Sequence, residues 1–330
     1  MLRLIARHRP DSRYFLDDPA YELEGLRDGP AGWVVGENNR TPTAADLAEV
    51  WHPSSRSATV GVDLIVAAPR MVSIVLAVGD TADARAVVAA HRAAVAHTLG
   101  ILESFSWRDR FTSGDVTIDQ RRPLGVVPSF THGVNRYGEP HLHDHVVLGV
   151  RQQENGRTVR WGELHRDLLA LDRIYKSALR AGVAERGGPA IWRGHLGDEH
   201  VIGLDEGWRA MWPGRHERGE PKKLWTREQI LDRWDVAKSR FEYPVGELAA
   251  PRSRFDTHHA EFLWRESPRR HELDGWGILA AAYRWGTMVN VTSRDDSRLD
   301  ISNYARFREL IDPLRDHVAY DRSLSLDRSR

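Results

Sequence analysis

Between positions 130 and 150 the chain reads FTHGVNRYGEPHLHDHVVLGV, and histidines stand at positions 132, 141, 143 and 145. The stretch runs from Phe130 to Asn135 and then into Arg136-Tyr137-Gly138-Glu139-Pro140, whose composition marks a turn. The segment after the turn, HLHDHVVLGV, is β-branched and apolar in its second half and reads as a strand. Side chains at i, i+2 and i+4 of a strand share a face, so His141, His143 and His145 point one way. The hairpin returning on itself brings His132 beside that row. Imidazoles converging on a rigid sheet make a metal site of the kind that keeps coordination positions open for a substrate. A chance cluster on a solvated strand is the alternative in a chain with 16 His among 330 residues. It does not account for H-L-H-D-H facing a fourth hairpin histidine.

Composition narrows the chemistry. The chain has no cysteine, which excludes disulfides and thiolate ligands, so a metal must be held by His, Asp or Glu. No run of apolar residues is long enough to span a bilayer, and MLRLIARHRP carries charge from position 3, unlike a secretory signal. The expected location is the cytoplasm, without membrane insertion. Charge is balanced at 47 basic and 47 acidic residues, which argues against a protein that coats nucleic acid but leaves room for a basic groove. Twelve tryptophans supply core and, in some positions, a surface on which bases can stack. There is no Gly-Lys pair, and so no phosphate-binding loop of the motor type.

The pattern along the chain predicts an α+β fold, an antiparallel sheet flanked by helices with a helical C-terminal part. Residues 1–7 read as a short strand and 59-TVGVDLIVAA-68 as a strong one. Pro69 suits the first turn of a short helix, and Thr81 can cap a long Ala- and Val-rich helix running to about residue 105. The histidine hairpin occupies about 126–150. A second long helix over about 164–186 ends at Gly187-Gly188. Past residue 200, helical stretches near 226–240, 256–265 and 275–290 alternate with basic loops at 213–223 and 267–271, ahead of a charged end. The boundary is expected near residue 200, with a core that carries the histidine sheet over 1–200 and a helical C-terminal subdomain over 201–330.

Other residues could share the chemistry. Tyr14, in DSRYFLDDPAY, follows the first strand in a polar, acidic setting, and Tyr21 lies seven residues on. A tyrosine beside a metal can attack a phosphodiester; packing is the other use of such a residue. Asp63 interrupts the apolar strand VGVDLIVAA, where it either orients a ligand imidazole or faces solvent on an edge. Arg70, after Pro69, and Arg136, in the hairpin turn, are candidate phosphate contacts or plain surface charge.

Together these segments resemble the conjugative relaxases of the TrwC/TraI type, a branch of the HUH endonucleases. The family's hairpin motif is matched by Phe130-Thr-His132, Asn135-Arg136 and Pro140-His-Leu142-His143-Asp-His145. Its strand-loop motif appears as 61-GVDLIVAAPRMVS-73. Its two tyrosines about seven residues apart, before a P-G-x-W-x-G-like element, appear as Tyr14, Tyr21 and 30-PAGWVVG-36. The three motifs occur in the family's order and spacing, over about residues 1–190.

The resemblance implies a relaxase domain without its helicase. It makes Tyr14 the nucleophile, has His132, His143 and His145 bind a divalent metal, and lets Asp63 activate or orient the site. The metal would be Mg2+ or Mn2+, with Zn2+ or Ni2+ as alternatives. The implied substrate is single-stranded DNA at a nic site beside a hairpin, with a separate helicase and a coupling protein as partners. The implied reaction is strand-specific nicking and rejoining through a 5′-phosphotyrosine, which starts conjugative transfer. The chain departs from the family pattern where Phe15 follows Tyr14, where Ile65-Val66-Ala67 replaces a hydroxyl-bearing run, and where Arg70 replaces lysine. Tyr21 and His141 are secondary candidates. Three readings compete: a rolling-circle replication initiator using Tyr175, a three-His metal oxygenase, and a DNA-binding module whose site has decayed.

Overall fold

The computed structural model describes residues 2–9, 15, 32–35, 40–51, 59–113, 116–150, 159, 161–189, 191–193, 199–201, 204, 206–212, 225–240 and 243. Tyr14, Tyr21 and the stretches expected at 213–223, 256–265, 267–271 and 275–290 lie outside them. The chain divides into two compact units, residues 1–109 with 121–267, and residues 110–120 with 268–330.

The first unit is built on a five-stranded antiparallel sheet. Its strands are β1 (Leu2–Arg7), β2 (Gly32–Val34), β3 (Gly61–Ala67), β6 (Pro128–Val134) and β7 (Pro140–Leu148), in the order β1-β3-β7-β6-β2. The hairpin strand β7 is central, and β3 is interior rather than an edge. Strands β4 (Arg108–Ser113) and β5 (Val116–Arg121) pair with each other in a separate sheet, as do β8 (Ile191–Arg193) and β9 (Glu199–Val201). The α+β expectation holds. Neither two-stranded sheet is foreseen in the sequence.

Two faces of the main sheet are covered differently. Over the face opposite the histidines, α2 (Arg70–Val78) packs on β7 and α4 (Leu168–Glu185) on β1, with α3 (Thr81–Phe105) against both helices. Every residue of α2 from Met71 to Val78 is buried; the run is apolar but for Ser73, whose hydroxyl donates to the Pro69 carbonyl at 3.1 Å. Helices α3 and α4 approach closely at small residues: a Cβ on Gly182 would lie 3.2 Å from Cβ of Ala90. Asp80 caps α3 by accepting from the Asp83 amide at 2.8 Å, so Thr81 is the first helical residue rather than its cap. Gly187, at φ 67°, ends α4 as expected.

The histidine face is covered at one end by α1 (Ala44–Val50). A capping box between Thr43 and Asp46 starts this helix. Arg40 holds the Asp46 carboxylate with two hydrogen bonds, of 2.8 and 2.6 Å, and keeps it well below the usual carboxylate range. Leu47, Val50 and Trp51 then join Phe15, Val60, Phe130 and Val147 in one apolar cluster. That cluster closes one side of the histidine group and shields it from water.

A candidate three-histidine metal centre

Antiparallel pairing sets His132 on β6 directly opposite His143 on β7, and His145 follows two residues later on the same face. The three rings form a near-equilateral group, with centroids 5.2, 5.0 and 5.1 Å apart. One nitrogen from each lies within 4.8 Å of the others, and all three residues are buried. The β6–β7 register shifts between His132 and Val134, and Val134 still pairs with Pro140 before the chain turns.

The outer nitrogens of His143 and His145 are engaged. Nδ1 of His143 donates to the carbonyl of His141 at 2.8 Å. Nδ1 of His145 lies 3.0 Å from both carboxylate oxygens of Asp63. Donation from Nδ1 leaves Nε2 with its lone pair, the arrangement a metal requires of a neutral imidazole. Asp63 reaches His145 because β3 pairs Ile65 with His145, which puts Asp63 on the same face and diagonal to it. Asp63 is fully buried, so it orients an imidazole rather than facing solvent. Its carboxylate also pairs with Arg7 of β1.

Burial holds the His143 imidazole well below its usual 6.5, and the neighbouring histidines add to this. His141, half-buried with its ring 4.6 Å from that of His143, is pushed down to about 4 by burial and by the charge of Arg70. The metal-free folded chain therefore binds fewer protons than the unfolded chain as pH falls below 6.5. Its stability declines through the window from about 6.5 towards 4. We expect the denaturant midpoint of the metal-free protein to drop across that window, and to drop less steeply in His143→Gln. Equal slopes for the two proteins would contradict the assignment.

Behind the metal strand, Asp144 sits fully buried between His143 and His145 and points to the opposite face. Trp33 Nε1 of β2 donates to it at 2.8 Å, Ser129 Oγ of β6 at 2.6 Å, and His91 Nε2 of α3 at 2.9 Å. His91 Nδ1 accepts the Tyr175 hydroxyl of α4 at 2.6 Å. His91 and these donors hold the Asp144 carboxyl well below the carboxylate range against the opposing effect of burial. A carboxylate with three donors ties two strands and a helix to the back of β7. It fixes the strand that carries two of the three imidazoles. Asp144→Asn puts an amide NH2 among these donors and is expected to cost about 2–4 kcal/mol, read from urea unfolding. A cost under about 0.5 kcal/mol would show that the hub contributes nothing to stability.

The hairpin turn is equally specified. Asn135 Oδ1 accepts the amides of Tyr137 and Glu139 at 2.9 and 3.1 Å, and Gly138 adopts φ 71°. A helix further along the chain, Arg227–Lys238, clamps the turn: Arg233 donates to the Tyr137 carbonyl at 2.6 Å and stacks over Trp225 at 4.4 Å.

This arrangement of sheet and helices is shared with known proteins. The TrwC relaxase family model matches residues 4–221. The chain belongs to the TrwC relaxase family. A copper-bound structure of the conjugative relaxase TrwC with oriT DNA superposes with a TM-score of 0.57 at 21% identity, covering 73% of this chain and 98% of that one. A metal-bound TrwC–oriT complex gives 0.55 at 21% identity, with the same coverage. TrwC complexed with a 27-mer comprising the recognition hairpin and the cleavage site gives 0.53 at 21% identity, again covering 73% and 98%. No match to this chain is found among curated protein sequences.

Within this TrwC-type fold the sequence candidates separate. His132, His143, His145 and Asp63 come together. His141 contributes its backbone carbonyl, and its ring is not one of the three that converge. Arg136 is exposed at the tip of the turn, whereas Arg70 begins α2 and lies 3.5 Å from the buried Glu139 carboxylate. Tyr175 is fully buried and bonded to His91, so it is closed off from a phosphate. Phe15, next to Tyr14, packs edge-on against His145 at 5.8 Å and lies 5.2 Å from Phe130. Sequence reasoning missed Arg7, Asp144, His91 and Trp33. A charged residue ending a strand and an aspartate inside H-L-H-D-H were the available signals.

Proposed function

We propose that this relaxase nicks and rejoins one DNA strand by transesterification at the three-histidine centre. The observation that carries the reading is a buried triad of imidazoles, with Nδ1 of His143 and of His145 engaged, on a TrwC-type sheet. His132, His143 and His145 fit a divalent cation, Mg2+ or Mn2+ first, with Zn2+ or Ni2+ as alternatives. When bound, the cation supplies Lewis-acid stabilisation of the charge that develops on the scissile phosphate.

The remaining chemistry falls to the chain. Tyr14 attacks phosphorus through its phenolic oxygen, the bond to the 3′ oxygen breaks, and a 5′-phosphotyrosine remains. The phenol gives up one proton and the departing 3′ oxygen gains one, so the exchange is balanced. Resealing is the reverse step and needs no nucleotide. Contact between Phe15 and His145 supports the placement of Tyr14, because the Cα atoms of adjacent residues sit about 3.8 Å apart. Asp63 orients His145. Both of its oxygens face that imidazole and one pairs with Arg7, so its role is holding a ligand rather than taking the tyrosine proton.

Single-stranded DNA with an adjacent hairpin is the substrate this reading requires, with phosphate contacts at Arg136 and Arg70. A catalytic core over residues 1–200 and a DNA-contacting subdomain over 201–330 complete it, with a separate helicase, a coupling protein and a cytoplasmic setting. No helix among the described residues is long and apolar enough to cross a membrane. The test uses a single-stranded oligonucleotide spanning the element's own transfer origin. Cleavage in Mn2+ should stop on chelation and return when Mn2+ is restored; cleavage indifferent to chelator would reject the metal's role.

A further inference from the structure

Strand pairing places Ile5 opposite Asp63 and Arg7 opposite Gly61, so Arg7 shares the histidine face with Asp63. Its guanidinium pairs with Asp63 Oδ2 and lies over the Phe15 ring, 5.3 Å from its centroid. Asp63 is fully buried, while the Arg7 side chain retains 22% of its exposure. One carboxylate thus serves the metal-binding imidazole of His145 and a cation of this chain, and Phe15 joins that cation to the segment holding Tyr14.

We infer that Arg7 sets the charge of the metal centre, offsetting Asp63 so that the bound cation keeps its full pull on the DNA phosphate. This rests on the phosphodiester reading of the site. Three imidazoles add no charge, so a dication beside an unopposed Asp63 carries a net charge of about one, and beside the Arg7–Asp63 pair about two. The guanidinium repels the metal and attracts the phosphate. Removing it therefore moves two observables in opposite directions: metal binds more tightly, and the strand is cleaved more slowly. A positioning residue that acted only through folding would weaken both.

The experiment titrates Mn2+ into the DNA-free protein by calorimetry and, separately, measures cleavage of the origin oligonucleotide at saturating DNA. Arg7→Gln should bind Mn2+ about tenfold more tightly and cleave about tenfold more slowly. Arg7→Lys, which keeps the charge, should stay within about threefold of wild type in metal affinity. Arg7→Met keeps an aliphatic stem against Phe15 and carries the same expectation should Arg7→Gln fold poorly. Mn2+ affinity unchanged or weakened in the folded neutral variants would overturn the inference. A wild-type protein that binds Mn2+ but never cleaves would instead overturn the phosphodiester reading, and the calorimetry would still decide on Arg7.

Discussion

Replacing His143 with alanine removes metal binding and strand cleavage together. His143 is one corner of the near-equilateral triad, 5.2 Å from His132 and 5.1 Å from His145 by ring centroid. Its Nδ1 is committed to the His141 carbonyl, so Nε2 is left for the metal. A two-imidazole site holds a divalent cation far less well, and without the cation the charge developing on the phosphate is uncompensated. Cleavage should fall by at least about a thousandfold and the heat of Mn2+ binding should vanish, with the circular dichroism spectrum unchanged. His141→Ala is the matched control. That residue holds His143 through its backbone, so its alanine variant should bind Mn2+ within about threefold of wild type. Loss of metal in His141→Ala and retention in His143→Ala would reverse the ligand assignment.

The second large effect is at Tyr14. Tyr14→Phe deletes one oxygen and keeps the ring, so Phe15 beside it should retain its packing on His145, Trp51 and Phe130. Cleavage should drop by at least about a thousandfold, because the proposed nucleophile is gone. Oligonucleotide affinity, measured by fluorescence anisotropy, should stay within about threefold, since phosphate contacts dominate binding. Tyr21→Phe should leave the first cleavage event intact. A Tyr14→Phe protein that cleaves at the wild-type rate would remove the tyrosine from the mechanism.

The metal hairpin was legible because its signals are local. Alternation in H-L-H-D-H, the Gly138 turn and the β-branched run after it each act within a few residues. Their consequence, three imidazoles on one face, follows from strand geometry alone. Asp63 was legible for a related reason: a carboxylate inside an apolar strand must find a partner, and β3 lies beside β7.

Asp144 was not legible. In the sequence it is one polar residue between two histidines. Its partners Trp33, Ser129 and His91 arrive from β2, β6 and α3, with Trp33 111 positions away. Only the strand order brings them together. His91, in an alanine-rich helix, reads as a tolerated polar residue until α4 supplies the Tyr175 hydroxyl behind it. Arg7 was missed because its meaning depends on the antiparallel register of β1 against β3, which no short-range pattern encodes. Tyr175 shows the converse: a tyrosine on a helix after the histidines fits a replication initiator by position, yet the same helix turns it into the protein's interior.

Which tyrosine becomes linked to DNA decides the mechanism. The protein is incubated with Mn2+ and the origin oligonucleotide, the DNA is trimmed with nuclease, and tryptic peptides are sequenced by tandem mass spectrometry. Trypsin cutting after Arg13 and Arg27 yields one peptide holding both Tyr14 and Tyr21, and Tyr175 falls in another, Ile174-Tyr175-Lys176. The expected result is a nucleotide adduct whose fragment ions place it on Tyr14. An adduct on Tyr175, or full strand cleavage with no adducted peptide at all, would contradict it.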